Sequence, residues 1–220
     1  MKQRQTNSIP YRLGRHIKRT KCMLLNRRGD GVHSPFAFRI IRQVLRNPHP
    51  YGAFAKLKVL QRTRRDAIRE ATQHRAIISR KHLEIIFRLA VDCEATYIHL
   101  LTTNPSLVAD YITEARPLAL ISQTFSEHQD MFPLEIRKAE LIVVEDIQAE
   151  ALELLTQALI SRDLSPQAHI LVLNTYNPKI RVSLKELRKK LKADVQFDLK
   201  GLEIWVWRKG ITPGRYSVYC

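Results

Sequence analysis

The sequence predicts an α/β fold: a mostly parallel sheet finished by an antiparallel hairpin, with a helical extension at its N-terminus. Three observations predict it. From residue 96 onward, short apolar runs alternate with helical stretches. Val195-Gln196-Phe197-Asp198-Leu199, a Lys200-Gly201 turn and Leu202-Glu203-Ile204-Trp205-Val206-Trp207 read as a hairpin. Before residue 94, apolar residues recur at helical spacing instead. Strands that alternate with helices call for a sheet covered on both faces.

Each element has its own signal. Residues 1–30 carry nine Lys/Arg, a lone acid and little periodicity, so they read as a loosely docked basic arm. The first firm helix starts at His33-Ser34-Pro35-Phe36, with Ser34 as N-cap and Pro35 at the first helical position, where its missing N–H is not needed. Phe36, Ile40, Ile41 and Val44 fall on one face, and Asn47-Pro48-His49-Pro50 stops the helix. A second helix is expected over about 53–76, with Phe54, Leu57, Leu60 and Ile68 as a thin apolar stripe. A third runs from Ser79 to about Cys93, with Leu83, Ile86, Phe87, Ala90 and Val91 inward. Strands are expected at 96–101, 118–122, 141–145 and 169–173, and helices near 105–115, 148–161 and 180–192. Arg215 to Tyr219 adds a further edge segment. The chain divides into the arm (1–30), a helical segment (31–93) and an α/β domain (94–220).

Charge is unevenly placed. The 220 residues carry a formal net charge of +16. Residues 1–90 hold 22 Lys/Arg against four acids, a net of +18, and the remaining 130 residues are net −2. A basic half beside a neutral half points to nucleic acid or another polyanion as partner; the alternative is a merely solvated basic face. A membrane-docking arm ranks lower, because no amphipathic stretch shows a large apolar face. Cys22, Cys93 and Cys220 are scattered, with no CxxC pair, which argues for a reducing compartment and against a structural zinc site. The longest apolar runs fall far short of the roughly 20 residues that span a bilayer, and no apolar stretch follows the basic N-terminus as a secretory signal requires. The expected location is cytoplasmic.

Specific residues carry a family resemblance. Gly31-Val32-His33-Ser34-Pro35-Phe36, the Phe87-Arg88-Leu89 helix and the ending Asp198-Leu199-Lys200-Gly201-Leu202 resemble a Bacteroidetes-type group of class I S-adenosylmethionine-dependent methyltransferases. The likeness runs in order from about residue 28 to the C-terminus. It implies a Rossmann-like sheet, S-adenosylmethionine as cofactor and in-line methyl transfer, with O-methylation one form of it.

Against that resemblance stand departures. Relatives end the first strand in a Glu-Leu-Gly-x-x-x-Gly type turn that cradles the cofactor's methionine end. Here that stretch is His99-Leu100-Leu101-Thr102-Thr103-Asn104-Pro105, with leucine and proline in place of glycines and histidine in place of the acid. Only glycine lets backbone and ligand come that close, and Pro105 supplies no N–H. The second strand ends in Leu120-Ile121-Ser122-Gln123-Thr124, without the acid that accepts both ribose hydroxyls. The segment 125–138 is too short for the usual helix, third strand and helix, so an edge strand is missing or reduced. Glu145-Asp146 ends the next strand, but Asn174-Thr175-Tyr176-Asn177 stands where relatives tend to carry a pair of acids. Too few carboxylates remain for a divalent cation, so no metal is expected.

The candidate cofactor residues are therefore Thr102, Thr103, Asn104, Ser122, Glu145 and Asp146. The first three sit before a helix N-terminus, where side chains and amides can hold an anion or a ribose. Glu145 and Asp146 would line the cleft at the carboxyl ends of the strands, although Asp146 would equally cap the following helix. His33 reads as a general base or, beside a Ser-Pro cap, as a structural group. Trp205, Trp207, Tyr97, His99 and Tyr176 read as packing residues. Two functions follow: a methyltransferase with a divergent cofactor site, or a protein that keeps the fold, has lost the cofactor and binds an anionic partner such as RNA through its basic half.

Overall fold

In a computed structural model the structure describes residues 32–71, 78–102, 106–125, 136, 138–145, 165, 167–173, 175 and 178–218. The basic arm, the helix expected near 148–161, Thr103, Asn104, Asp146 and Tyr176 lie outside them.

Helix α1 (Pro35–Ile40) starts as expected: the Ala37 N–H donates to Ser34 Oγ at 3.3 Å, which fixes the cap. The helix then widens over Ile41–Leu45, where the Arg46 N–H reaches back five residues to the Ile41 carbonyl at 2.9 Å. That widening needs a second donor for the backbone, and buried Arg88 supplies it, its Nε donating to the Val44 carbonyl at 2.8 Å. Helices α2 (Ala53–Ala71) and α3 (Arg80–Asp92) follow, the latter capped by Ser79, whose Oγ accepts from the His82 N–H at 3.2 Å.

The α/β part contains β1 (Tyr97–Thr102), α4 (Leu107–Ala115), β2 (Leu120–Phe125), β3 (Leu141–Val144), β4 (His169–Leu173), α5 (Pro178–Lys190), β5 (Val195–Asp198), β6 (Leu202–Val206) and β7 (Gly214–Ser217). The sheet runs β2-β1-β3-β4-β6-β5-β7. The first four of these positions are parallel; β6 is antiparallel to both β4 and β5, and β7 returns parallel to β5. Lys200 (φ 55°) and Gly201 (φ 107°) both turn left-handed, as a two-residue hairpin between right-twisted strands requires. Among the described residues no strand lies between β2 and β3 in the chain, and β2 forms one edge of the sheet.

Strand β2 begins two residues later than the apolar pattern implies. Leu118 counts as apolar but sits in a turn closed by the Ala119 N–H on the Arg116 carbonyl, and it is 98% exposed. Pairing with β1 starts only where the Leu120 N–H meets the Thr96 carbonyl at 2.8 Å.

The two faces of the sheet are covered unequally. Ile98, Leu100, Leu141, Val143, Leu171, Phe197 and Ile204 bury the first face under α1 to α4. Leu101, Ile142, Val144, Ile170, Val172 and Trp205 bury the second against Leu184, Leu187 and Leu191 at α5. Alternation of side chains along each strand makes this division, since residues two apart share a face.

The second face also holds an ion pair. Glu203 on β6 is buried, accepts from Arg188 Nε at 2.9 Å, pairs with the Arg188 Nη2 and accepts from the Trp205 indole at 3.2 Å. Removing one partner of such a pair strands the other charge away from water. We expect Glu203→Ala to lose about 3 kcal/mol of stability in urea unfolding, with the paired replacement Arg188→Met/Glu203→Leu recovering most of it.

Candidate functional site

Register alone brings two of the candidate residues together. Strands β1 and β3 pair Leu101 with Val144, and the Glu145 N–H donates to the Leu101 carbonyl at 2.8 Å, so the next step of the ladder sets Thr102 beside Glu145. Both lie at the carboxyl end of the central strands and on the first face, with Ile98, Leu100 and Val143. Helix α4 then delivers Ser106 to the same point. Its hydroxyl accepts from the Ala109 N–H at 3.2 Å, capping the helix, and donates to Glu145 Oε2 at 2.5 Å. The Thr102 hydroxyl donates to the same Oε2.

All three side chains are buried: Thr102 at 3%, Ser106 at 7% and Glu145 at 9% exposure. Burial raises the Glu145 pKa above its ordinary 4.5; the two hydroxyl donors oppose that shift, and the charge of Asp110 adds to it. Asp110, on α4, is itself raised by burial and held back by Arg64, whose Nη1 lies 2.8 Å from both carboxylate oxygens. A second bridge, Lys56 Nζ to Glu114 Oε2 at 2.6 Å, joins the same two helices. Arg64 and Lys56 lie on α2, so the helical segment is tied to the helix that caps the site.

The other candidates sit elsewhere. Ser122 is paired in register with His99, and therefore lies on the second face, away from Thr102 and Glu145. Gln123, one residue on, is exposed. His33 is exposed too, beside the buried cap Ser34. Phe36 of the same motif lies between two guanidiniums, Arg39 at 5.6 Å and Arg208 at 5.3 Å from its ring centre, and Arg39 also pairs with Asp92. The motif thus fastens α1 to the chain just after β6. Burial pushes the Cys93 thiol up to about 11, which removes it as a nucleophile at neutral pH. Among the described residues no group of three or more His, Cys, Asp or Glu gathers for a metal.

Ser106 and Asp110 are the site residues that the sequence did not disclose. Ser106 directly precedes an apolar helical run, a recognisable cap signal, but nothing local shows that its hydroxyl also meets a carboxylate 39 residues away.

With this geometry in place, the chain can be compared with known structures. The SAH-bound methyltransferase PaMTH1 of Podospora anserina superposes with a TM-score of 0.53 at 16% identity, over 79% of this chain and 96% of that one. An O-methyltransferase family protein from Burkholderia thailandensis gives 0.43 at 13% identity, over 95% of this chain and 74% of its own. A class I S-adenosylmethionine-dependent methyltransferase assignment from Listeria monocytogenes gives 0.39 at 10%, over 84% and 77%. No family profile and no curated protein sequence matches the chain. The chain shares the fold of the Podospora anserina methyltransferase, a Rossmann-like mixed sheet that has seven strands among the described residues, with helices on both faces.

The cofactor that this fold implies does not fit the residues present. No glycine occurs between Gly52 and Gly201, so none stands at the carboxyl end of β1, β2, β3 or β4. A close approach of ligand to backbone there would meet a side chain at every position. Among the described residues, Glu145 at the end of β3 already receives two hydroxyls of its own chain.

The buried carboxyl has a measurable signature. An acid whose pKa is raised in the fold keeps its proton longer folded than unfolded, so stability falls as pH rises from about 4.5 through the raised value. We expect Glu145→Gln to remove that slope and to melt at or above the wild-type temperature at neutral pH, read by thermal unfolding across a pH series. A variant that melts well below wild type at pH 7 would show the ionised form to be the stabilising one.

Proposed function

We propose that this chain is a divergent member of the Bacteroidetes-type class I methyltransferase group in which the fold has been kept and S-adenosylmethionine binding lost, so that it acts as a cytoplasmic binding module and not as a methyl-transfer enzyme. One observation carries the reading: Thr102 and Ser106, which flank the turn where the cofactor's methionine end would lie, close on Glu145 instead. The absence of glycine from every strand-end turn of the parallel part supports it, as does the lack of a carboxylate in Ser122-Gln123-Thr124 at the end of β2. Losses at separate positions each remove a different part of cofactor recognition: backbone approach, methionine contact and ribose acceptance. The positive half of the chain then supplies the means of binding, since residues 1–90 carry a net +18 beside a near-neutral α/β domain.

Calorimetric titration with S-adenosylmethionine and S-adenosylhomocysteine tests this directly. We expect no heat and no thermal shift at about millimolar ligand, a ceiling near −4 kcal/mol. A micromolar dissociation constant, about −8 kcal/mol, would overturn the proposal and return the chain to methyl transfer.

A further inference from the structure

The sheet ends in two edge strands that differ in how they are guarded. Strand β7 is four residues long, follows Pro213 and carries the exposed cation Arg215. A short strand, a proline and a charge are devices that keep an edge from pairing with another chain. Strand β2 has none of them. It is six residues long, and from Leu118 to Phe125 the sequence holds no charged residue, no Pro and no Gly. Its apolar side chains are also bare, with Leu118 at 98% and Leu120 at 67% exposure. An uncharged run of this composition is an aggregation hazard when its edge stays uncovered.

The direction of each backbone group on β2 follows from one bond. The Leu120 N–H donates to the Thr96 carbonyl at 2.8 Å, so Leu120 turns its backbone groups toward β1. Alternate residues of a strand face the same neighbour, so Ser122 and Thr124 also serve the β1 ladder while Ile121 and Gln123 turn outward. Among the described residues no strand pairs with that outward side.

We propose that β2 pairs antiparallel with β2 of a second copy of this chain about a two-fold axis, which joins the two sheets into one. The symmetry makes the edge complementary to itself. Ile121 of each copy lies opposite Gln123 of the other and exchanges both N–H···O=C bonds with it, and Ser122 meets Ser122 on the axis. Leu120 then falls opposite Thr124 of the second copy on the same face, which takes its side chain out of water. Charge permits this pairing: each chain is net +16, yet the edge sets no cation against another. Pairing of β2 onto β7 of another copy would run head to tail and grow a filament, and Pro213 and Arg215 oppose it. A foreign extended peptide is selected by side-chain pockets or by charge, and the strip from Leu118 to Gln123 offers no charge to select by.

Sedimentation equilibrium of the full chain over a concentration series tests the proposal. Wild type should show a dimer in reversible equilibrium with monomer. Gln123→Pro removes an outward N–H and no donor of the β1 ladder, the kind of position where an edge strand accepts proline. Two bonds across the axis are lost, so the dimer dissociation constant should rise at least about tenfold. Leu120→Lys should also weaken the dimer, with part of the loss recovered in added salt; it carries the same test if Gln123→Pro does not fold. Val182→Lys, at an apolar residue of α5 that is also 67% exposed, should leave the dimer unchanged. Circular dichroism melts establish that each variant is folded. A wild type that is monomeric throughout the series, a dimer that folded Gln123→Pro and Leu120→Lys leave intact, or species that grow in mass without limit would each overturn the proposal. The result is independent of the cofactor titration, since the outer edge of β2 and the carboxyl ends of the central strands are different surfaces.

Discussion

Helix α3 sets the main constraint on this molecule. Leu83, Ile85, Ile86, Phe87, Leu89 and Ala90 are all buried, so the helix is apolar around most of its circumference and must be covered on nearly every side. The sheet covers one side and α4 another. The remainder falls to the N-terminal helices: Phe54 and Tyr51 pack edge-on or tilted around Phe87, Arg88 satisfies the widened end of α1, and Asp92 holds Arg39. The helical extension is therefore part of the same core as the sheet's first face, and the motif around Ser34 and Phe36 is explained by that packing.

From that frame follows the state of the strand ends. Helix α4 is fixed between α3 and α2, and its capping residue Ser106 is fixed with it. Glu145 cannot move independently of the β1–β3 ladder. Two rigid elements thus meet at a carboxyl group that is buried and supplied with hydroxyl donors. A side-chain hydroxyl can replace the role that glycine plays elsewhere only by filling the space, because glycine works through what it leaves out. Thr102, Ser106 and Glu145 consequently form a buried polar cluster at the carboxyl ends of β1 and β3.

Much of the architecture was legible in the sequence because it rests on short-range rules. Ser34 and Ser79 announce their helices by capping chemistry, Lys200-Gly201 announces the hairpin, and β3 and β4 are apolar runs of strand length. What remained hidden depends on contacts between distant segments. The apolar pattern places Leu118 in a strand, but the strand begins at Leu120, whose N–H donates to the Thr96 carbonyl. Thr102 and Glu145 could be named as candidates from their strand ends, yet their union with Ser106 is a product of register and of helix placement. Ser122 shows the reverse case: a strand-end residue by sequence, carried to the opposite face by the two-residue period.

The sheet order has a consequence for how the chain is made. Strand β4 sits in the middle of the sheet, yet its second neighbour is β6, which follows α5 and β5 in the chain. During synthesis at about 5–20 residues per second, β4 therefore waits a few seconds with one ladder edge bare. His169–Leu173 is fully apolar after its first residue, the kind of edge that recruits other chains. The ladder on that side of β4 closes only with β6, so the edge is open to other chains between the emergence of Leu173 and that of Val206.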